Sequence, residues 1–330
     1  MKRKRIITIF LIIGLFFFTS IPLAIAGAET SAVLRAGGGA VGGAGFVMLT
    51  GISKIVGDAY PRISTTVVPG GWVGNITRVN AGELDLASTA NTLCGLAEKG
   101  IPPLDKPFPN VRALFSVQDT MYYFMFARKD FPADSVEELI EKKLPAKICT
   151  LSPGSISEMQ FKNAIAVKNV TWDDIKEWGG KVNFVTWGDA VSLIKDGHAD
   201  LICAAALGKA GWAMELATVR EMKILKWNKE FLSEINEKTG TKTVTMPADL
   251  YKGIDYTVDC PASGGQIIIN SKVSDEVAYA IVKAMAEGAA EYRNHHAAFK
   301  DFSAEGMAKG LFLPLHPGAA KYYKEKGYLK

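Results

Sequence analysis

The chain has few residues of the types that build catalytic and metal sites. Its 330 residues include four histidines and four cysteines. His295 and His296 are adjacent, so a helix directs their rings apart, and neither His198 nor His316 has partners at metal-ligand spacing. A Ser-x-x-Lys element begins at Ser192, but the Ser-Asp-Asn element that serine β-lactamases also need is missing. We therefore predict no catalytic residues, no bound metal and no enzyme activity.

Long apolar runs and basic runs are also scarce, and both occur at the amino end. Lys2–Arg5 is cationic, Ile6–Phe18 is apolar, and small residues run through Ala24–Ala28. This order is typical of a secretory signal peptide with cleavage after Ala26 or Ala28. A retained membrane anchor is the alternative, although the apolar run is shorter than the ~20 residues that a spanning helix needs.

Removal of this predicted signal peptide, residues 1–28, changes the charge of the chain. The segment holds four of the 38 basic residues and none of the 34 acidic residues, so the mature chain has 34 of each. After residue 28 no basic run is interleaved with aromatic residues, which argues against a nucleic-acid-binding surface. We expect an exported, periplasmic or extracytoplasmic protein that binds no nucleic acid.

The four cysteines allow disulfides, because the protein is expected to be exported. They are Cys94, Cys149, Cys203 and Cys260. Most of them lie in or beside apolar strands, where cysteine is commonly a small buried residue. A bond between Cys149 and Cys203, on strands that could be neighbours, stays open at this point, as does the state of the other two.

The clearest pattern is a repeated helix–glycine–strand element, at residues 75–86 and again at residues 190–201, each within a larger β-α-β-α-β unit. Apolar residues three apart mark one helix face, and a glycine, Gly82 or Gly197, then ends the helix as expected at a left-handed position. Three residues later an Asp-Leu pair opens a short apolar strand. Two similar units in one chain predict two similar lobes with a binding crevice between them.

Strands alternate with helices along the chain, which predicts mostly parallel α/β sheets flanked by helices. The predicted strands are 32–36, 63–68, 84–88, 111–118, 121–128, 147–151, 182–186, 200–205, 222–227 and 266–270. The predicted helices are 44–57, 72–81, 90–99, 134–142, 155–167, 188–196, 211–219 and 228–238, with 239–252 a loop and 274–326 mostly helical. The order of elements predicts an interrupted lobe I, residues 29–118 and 256–330, and an inserted lobe II, residues 119–255, joined by two crossing hinge strands.

Ligands of open parallel sheets lie beyond the carboxyl ends of the strands, in the loops that follow them. The loop after the first strand contains Gly37-x-Gly39-x-x-Gly42, the spacing of a dinucleotide fingerprint. That fingerprint also needs an acidic residue at the end of the next strand, and this strand ends Val67–Gly70 without one. We therefore predict no nicotinamide cofactor. Glycine N–H groups at a helix start instead suit an anionic group of a ligand.

The other loops supply polar and apolar side chains. Asn75 offers a donor and an acceptor and Trp72 an apolar wall; the alternatives are a local cap for Asn75 and packing within the lobe for Trp72. Ser155 and Glu158 match a capping box, and such a loop is also a carboxylate cradle. The predicted ligand-binding residues are Gly42, Gly43, Phe46, Gly71, Trp72, Asn75, Thr89, Asn91, Tyr122, Gly154, Ser155, Ser157, Glu158 and Ala206.

Several segments resemble one family of solute receptors over residues 31–328. They are Gly42-Gly43-x-x-Phe46, Gly70-Gly71-x-Val73-x-Asn75, Asn80-Ala81-Gly82-Glu83-x-Asp85-Leu86, Pro153-Gly154-Ser155, Lys195-Asp196-Gly197-x-x-Asp200 and Leu315-His316-Pro317-Gly318-Ala319-Ala320-Lys321-Tyr322-Tyr323. The family is the TRAP-associated extracytoplasmic immunogenic (TAXI) group of receptors for tripartite ATP-independent periplasmic (TRAP) transporters. The resemblance implies a type II periplasmic-binding-protein fold that captures a small organic acid or amino acid and delivers it to a membrane permease.

The chain departs from that family in its binding loops. The family commonly has hydroxyl residues near Ala40 and Ala44 and at the position of Trp72, and a glycine at the position of Ile156. The first lobe here is therefore poorer in hydroxyl donors and richer in apolar surface. We predict a carboxylate ligand that is less polar than glutamate, such as an aromatic or branched acid.

Two other functions remain compatible with the sequence. The same clamp could be a monomeric sensing module for a signalling partner, or the scaffold of an exported enzyme. The enzyme is disfavoured because no catalytic set is found. We expect a monomer whose partners are a small-molecule carboxylate and the membrane permease subunit of a TRAP transporter.

Overall fold

The structure is a computed structural model that describes residues 30–41, 43–100, 104, 106–117 and 120–329. The predicted signal peptide lies outside these residues. The strands are β1 Ala32–Gly37, β2 Ile63–Val68, β3 Leu86–Ala90, β4 Val111–Ser116, β5 Met121–Arg128, β6 Lys147–Thr150, β7 Lys181–Phe184, β8 Leu201–Leu207, β9 Met222–Ile224, β10 Lys242–Met246, β11 Val258–Ser263 and β12 Gly265–Asn270.

Helices occupy most of the segments between these strands and the carboxyl-terminal part of the chain. They are α1 Ala44–Ala59, α2 Trp72–Ala81, α3 Asn91–Lys99, α4 Val136–Glu141, α5 Ile156–Ala166, α6 Trp172–Glu177, α7 Trp187–Lys195, α8 Gly211–Val219, α9 Lys229–Thr239, α10 Asp275–Glu287, α11 Ala289–His295 and α12 Pro317–Glu325, with short 3₁₀ turns at Ala297–Phe299 and Gly306–Ala308.

The first sheet, with its helices, forms lobe I and has the strand order β2-β1-β3-β12-β4. β1 pairs in parallel with β2 and β3, and β12 runs antiparallel between β3 and β4. α1 shows how the sequence builds this lobe. Its buried residues Met48, Leu49, Ile52, Ile55 and Val56 recur every three or four positions, so a single face of the helix packs on the sheet and on α10.

The second sheet, with its helices, forms lobe II and has the order β10-β11-β5-β8-β6-β7, with β9 also pairing with β5. β6 is parallel to β7 and β8, whereas β5 and β10 are antiparallel to the strands that they pair with. The predicted α/β fold of two lobes is confirmed. The second sheet is more mixed than the mostly parallel sheet predicted, because β5 and β10 run opposite to β6, β7 and β8.

Two elements of lobe II were missed at the sequence level. The predicted loop 239–252 contains β10, which pairs with β11. Its Thr243, Val244 and Thr245 are β-branched, a composition that favours a strand. The helix α6 was also not predicted, although Thr171 and Asp174 form a capping box at its start.

The chain crosses between the lobes twice. The first crossing lies between the end of β4 at Ser116 and the start of β5 at Met121; the predicted boundary between residues 118 and 119 falls outside the described residues. The second crossing lies at Gly264, because β11 belongs to the sheet of lobe II and β12 to that of lobe I. The return to lobe I is therefore later than the boundary predicted between residues 255 and 256.

The repeated glycines have the predicted backbone conformation. Gly82 has a φ of 78° and Gly197 a φ of 77°, the left-handed region that favours glycine. Each ends its helix before the strand β3 or β8 begins. The repeat seen in the sequence is thus a repeat of structure, one copy in each lobe.

Cys94, Cys149, Cys203 and Cys260 are all buried and free, so the structure does not contain the Cys149–Cys203 bond that the sequence left open. In the described part of the chain, no helix combines the length and the apolar character that membrane crossing requires.

Candidate functional site

A large cavity lies between the two lobes and has a volume of about 1210 Å³. Lobe I contributes the glycine-rich loops after β1 and β2. Lobe II contributes residues 151–157 and 184–189, which follow β6 and β7. All four loops follow parallel strands and lead into helices, so four helix N-termini, those of α1, α2, α5 and α7, meet at one space.

The two helix N-termini of lobe I are open to a ligand. Gly43 is the N-cap of α1 and Gly71 that of α2, and neither cap supplies a side-chain hydrogen bond. Neither first turn contains an acidic residue. The first N–H groups of a helix have no partner within the helix and concentrate its positive dipole end. Lobe I therefore presents the first backbone N–H groups of α1 and α2 to the cavity, with no acidic side chain beside them to offset their positive charge.

The two helix N-termini of lobe II are already capped. Ser155 Oγ accepts from the Glu158 N–H at 3.2 Å, and Thr186 Oγ1 accepts from the Asp189 N–H at 3.2 Å. Glu158 and Asp189 also place a carboxylate in each first turn. This compensation makes lobe II the weaker side for an anionic group.

The cavity contains little charge. Among its described lining residues Asp189 is the only ionisable one, and its side chain is exposed. With no lysine, arginine or histidine in this lining, an anion would depend on backbone N–H groups and helix ends. In the part of the chain that the structure describes, no cluster of histidine, cysteine and carboxylate side chains could hold a metal ion.

Trp72 lies between the two glycine loops of lobe I. A Cβ atom at Gly45 would be 2.7 Å from Trp72 Nε1, and one at Gly39 would be 3.3 Å from it. The indole therefore occupies space that side chains at these glycines would need. Trp72 is 5% exposed and lines the cavity, and its N–H has no hydrogen-bond partner among the described residues. It is a donor available to the cavity as well as an apolar wall.

Aromatic residues form the opposite wall. Trp187, which lines the cavity, stacks on Trp212 with ring centroids 4.8 Å apart, and Trp212 stacks on Phe124 at 6.3 Å. Phe184 and Val41, from the two lobes, also line the cavity and are 42% and 72% exposed. Lobe II thus contributes aromatic rings beside the polar residues Ser152, Ser155, Ser157, Thr186 and Asp189, whereas lobe I contributes mainly backbone donors and apolar side chains.

A family model described as the NMT1-like family matches residues 36–327 of this chain. The chain belongs to the NMT1-like family. Among solved structures, MatC from Rhodopseudomonas palustris with bound malate is 13% identical, with a TM-score of 0.52 over 81% of this chain and 88% of that chain. The periplasmic aliphatic sulphonate binding protein SsuA from Escherichia coli is 15% identical, with a TM-score of 0.45 over 89% and 84% of the two chains. The likeness to MatC is one of fold.

Within this NMT1-like chain, the predicted residues fall into three groups. Those that line the cavity are Gly43, Gly71, Trp72, Gly154, Ser155 and Ser157. Those outside its lining are Phe46, Asn75, Thr89, Asn91, Tyr122, Glu158 and Ala206. Gly42 lies outside the described residues.

Asn75 is placed beneath the cavity rather than in its wall. Its side chain is fully buried, and Nδ2 lies within hydrogen-bond distance of the carbonyl oxygens of Gly37 at 3.1 Å, Gly38 at 2.9 Å and Ser88 at 2.9 Å. These carbonyls belong to the last residue of β1, to the loop after β1 and to the middle of β3. Asn75 therefore fixes the shape of the glycine loop from the inside, and its amide donors are not free for a ligand.

Other predicted side chains are also engaged within the protein. Thr89 Oγ1 donates to the Trp72 carbonyl at 2.9 Å, and the Glu158 carboxylate accepts from Trp172 Nε1 at 3.0 Å and the Gly154 N–H at 3.1 Å. Ser157 Oγ accepts from the Ala205 N–H at 3.0 Å. These groups support the cavity walls.

Strand alternation explains two further placements. Met121 lines the cavity, so Tyr122, the next residue along β5, points to the other face of the sheet. Ala206 pairs with Tyr122 in the neighbouring strand β8, while Ala205 and Leu207 line the cavity. Tyr122 and Ala206 are thus each adjacent in sequence to residues that line the cavity, but they do not line it themselves.

The loop 184–189 was not predicted to contribute to the site. It holds Phe184, Thr186 and Trp187, which together supply most of the aromatic wall and one helix cap. A signal was present, because Thr186 and Asp189 have the spacing of an N-cap and its partner at the end of the predicted strand 182–186.

Proposed function

We propose that this protein is an extracytoplasmic solute receptor that captures a small carboxylate with an apolar body by closure of its two lobes. The observation that supports this most directly is the asymmetry of the inter-lobe cavity. Lobe I offers two uncapped helix N-termini and the Trp72 N–H, and lobe II offers the Trp187 and Phe184 rings. The carboxylate would lie on lobe I and the apolar body against lobe II.

The size of the cavity supports a closing movement. Its volume of about 1210 Å³ exceeds the roughly 300–1,000 Å³ of typical small-molecule pockets. Val41 and Phe184 are exposed on the two sides of this space. Approach of the lobes would cover both side chains and reduce the volume to one that fits a metabolite.

Simple energetics favour a ligand with an apolar part. Each helix end contributes about 0.3–1 kcal/mol to anion binding, whereas a micromolar receptor needs about −8 kcal/mol. With no cation in the described lining, burial of roughly 200 Å² of apolar surface, at about 25 cal/mol per Å², would supply about 5 kcal/mol. A small, wholly polar acid could not gain this contribution.

The ligand class can be tested on the protein as purified. Native mass spectrometry would identify a molecule already bound. Calorimetry would then compare glutamate with branched-chain and aromatic carboxylates. Tighter binding of the apolar acids is expected. Tight binding of glutamate with no binding of apolar acids, or conversion of any ligand to a product, would contradict the proposal.

A matched pair of tryptophan variants tests the position of the site. Trp187→Ala removes a wall of the cavity, and Trp178→Ala removes a half-buried tryptophan of the same lobe that does not line it. Loss of most of an aromatic contact corresponds to a decrease in affinity of about tenfold or more. We expect this for Trp187→Ala only, with melting temperatures measured for both. Equal effects of the two variants on affinity would show that the ligand binds elsewhere.

We further propose that the receptor delivers its ligand to a TRAP permease. This rests on the signal-peptide pattern and on the TAXI-like segments, of which residues 315–323 are the most specific. Uptake into proteoliposomes that hold the permease should require both the receptor and an ion gradient, and should continue without ATP. Uptake that depended on ATP hydrolysis would contradict this assignment.

A further inference from the structure

Trp72 carries a hydrogen-bond donor that the protein itself does not use. Its indole is 5% exposed and lines the inter-lobe cavity, and Nε1 has no partner among the described residues. Trp227 Nε1 also lacks a partner but is enclosed by protein atoms, whereas Trp72 Nε1 is not among the enclosed polar atoms of the described chain. The small exposed part of Trp72 therefore includes its N–H, which opens to the cavity.

This donor lies at the start of α1, although Trp72 itself belongs to α2. A Cβ atom at Gly45, the second residue of α1, would be 2.7 Å from Trp72 Nε1 and 3.1 Å from the Gly39 nitrogen. Both nitrogens therefore lie beside the same glycine. Gly39 and Gly45 line the cavity as well. The indole N–H and the first turn of α1 thus meet at one place in the cavity wall.

Two backbone donors at this place are also free. Neither the Gly39 N–H nor the Gly45 N–H has a partner among the described residues, whereas the preceding Gly38 N–H donates to the Val68 carbonyl at 2.9 Å. Free N–H groups in the first turn of a helix carry partial positive charge and favour an anion. Together with Trp72 Nε1, three neutral donors are available to a ligand at the start of α1.

The indole is held in position before any ligand binds. Thr89 Oγ1 donates to the Trp72 carbonyl at 2.9 Å, which fixes the backbone of this residue. Gly39 and Gly45 lie against Nε1 on the side of the glycine loop. A donor that is already fixed loses little conformational entropy when a ligand binds. Trp72 is therefore suited to selecting a ligand group by its hydrogen-bonding pattern.

A set of N–H donors without a cation selects by the acceptors of the ligand. The described lining of the cavity contains no lysine, arginine or histidine. A carboxylate has acceptors only, so its two oxygens can accept from several N–H groups at once. A carboxamide of the same shape would turn an NH₂ group toward these donors and leave some of them unpaired. The start of α1 therefore distinguishes a free acid from its amide.

We propose that Trp72 determines the specificity of the inter-lobe site for free carboxylic acids. The carboxylate accepts hydrogen bonds from Trp72 Nε1 and from the N–H groups of Gly39 and Gly45, and the apolar body of the acid extends toward lobe II. This proposal rests on the proposed function and narrows it. It places the carboxylate at one helix start, that of α1, and excludes amides from the ligand class.

The tryptophan indole signals in nuclear magnetic resonance spectra of the mature, ¹⁵N-labelled protein test this contact. The probes are phenylacetate and 4-methylpentanoate, each compared with its amide, and triple-resonance spectra assign the signals. An acid that binds should move the Trp72 indole signal downfield in a saturable manner, and its amide should bind about tenfold more weakly or worse. The Trp172 signal should move far less, because Trp172 Nε1 already donates to Glu158 at 3.0 Å.

The outcomes separate this proposal from the proposed function. An acid that binds without moving the Trp72 signal, or an amide that binds as tightly as its acid, would overturn the role of Trp72 and leave the receptor function standing. If neither acid binds, both the role of Trp72 and the proposed ligand class are overturned.

Trp72→Phe distinguishes a binding role from a structural one. Phenylalanine keeps an aromatic ring and lacks the N–H, so affinity for the acids should fall about tenfold, the usual effect of losing a hydrogen bond to a charged group. Affinity for the amides should fall less. The ratio of acid affinity to amide affinity should therefore decrease, which a general loosening of the loop would not cause.

Trp178→Phe is the control, because Trp178 is half-buried and does not line the cavity. It should leave the ratio of acid affinity to amide affinity unchanged. An equally unchanged ratio in Trp72→Phe would overturn the proposal. If Trp72→Phe does not fold, the movement of the Trp72 indole signal in the unaltered protein decides.

Discussion

The Asp85 carboxylate accepts a hydrogen bond from the backbone N–H of Arg35 at 2.7 Å, and the Asp85 N–H donates to the Arg35 carbonyl at 2.9 Å. The other copy of the repeat contains the same pair. Asp200 accepts from the Lys147 N–H at 2.8 Å and donates to the Lys147 carbonyl at 2.8 Å. The aspartate of the Asp-Leu motif thus joins the first and third strands of each unit.

Removal of either aspartate side chain should destabilise its lobe. A hydrogen bond to a charged group contributes about 1.5–3 kcal/mol, so we expect a loss of this size for Asp85→Ala. Asp200→Ala should cost more, because Arg128 Nη2 lies 3.1 Å from Asp200 Oδ1 and would lose that ion pair too. Urea unfolding followed by circular dichroism measures both changes.

Asp130→Ala is the matched control for these two variants. Asp130 also approaches Arg128, at 3.5 Å, but its side chain is 73% exposed. Its removal should change the free energy of unfolding by no more than about 0.5 kcal/mol. Similar losses of unfolding free energy for Asp85→Ala and Asp130→Ala would show that the hydrogen bond between Asp85 and the Arg35 N–H does not stabilise the lobe.

Asn75→Ala should reduce stability rather than act only on ligand binding. The change leaves the carbonyls of Gly37, Gly38 and Ser88 without their shared donor in a buried site. The cost is about 1–3 kcal/mol. Thr77→Ala, an exposed position on the same helix, is the control. A variant of Asn75 that kept its melting temperature and lost only affinity would instead support direct contact with the ligand.

Two glycines near the cavity should respond to alanine in opposite directions. Both lie within the first turn of a helix, where alanine is favoured over glycine by about 0.5–1 kcal/mol. At Gly74 a Cβ atom would meet nothing within 4 Å, so Gly74→Ala should raise the melting temperature. At Gly45 it would be 2.7 Å from Trp72 Nε1, so Gly45→Ala should lower the melting temperature and displace the indole, with a change in tryptophan fluorescence. A change of melting temperature in the same direction for both variants would contradict the packing of Trp72 against Gly45.

The histidine of the motif at residues 315–323 should make stability depend on pH. His316 is fully buried and is the N-cap of α12; its Nδ1 accepts from the Gly318 N–H at 3.3 Å, so its Nε2 donates to the Val273 carbonyl at 3.0 Å. Burial lowers the pKa of His316, against a smaller opposing effect of Asp275. The neutral ring is therefore the form that the folded protein favours.

The sign of the pH effect follows from this lowered pKa. The stability due to neutral His316 is present above the unfolded pKa, about 6.5, and is lost as the pH falls from there to the folded pKa. His316→Asn, which retains a capping residue, should flatten the dependence of unfolding free energy on pH below neutrality. His198→Asn, at an exposed position, should leave it unchanged. An unaltered dependence of unfolding free energy on pH in His316→Asn would refute this role. Burial also lowers the pKa of His296, so some dependence on pH should remain in the variant.

The cysteines should be unreactive until the protein unfolds. All four are free and buried, and burial raises the pKa of Cys149 to about 11 and that of Cys260 to about 12. Unfolded thiols have a pKa of about 8.5, so a disulfide reagent at pH 8 should titrate four thiols in urea and react far more slowly with the native protein. Fewer than four thiols in urea without reductant would indicate a disulfide.

The sequence predicted features that depend on local geometry. Gly82 and Gly197 end their helices in the left-handed conformation because any other residue would be strained there. His316 begins the last helix, since its side chain and Pro317 both suit a helix start. The glycine loops at the starts of α1 and α2 were recognisable for the same reason.

The contents of the crevice wall were harder to predict. Asn75 follows β2, as expected of a site residue, but its side chain points into the core of lobe I. Tyr122 lies in β5, but its side chain is on the face of the sheet that does not line the cavity. A single position along a helix or strand reverses the direction of a side chain, and element boundaries read from sequence are not that precise. Trp187 was missed because nothing local marks a tryptophan as facing a cavity.

The sequence by itself determined the two-lobed plan, since a repeated helix–glycine–Asp-Leu pattern specifies the same local bonds wherever it occurs. Only the tertiary structure decided which side chains meet between the lobes and which chain segment, β11, belongs to lobe II. Those outcomes depend on the packing of residues far apart in the chain, such as Trp72 against Gly45, and no local pattern encodes such distances.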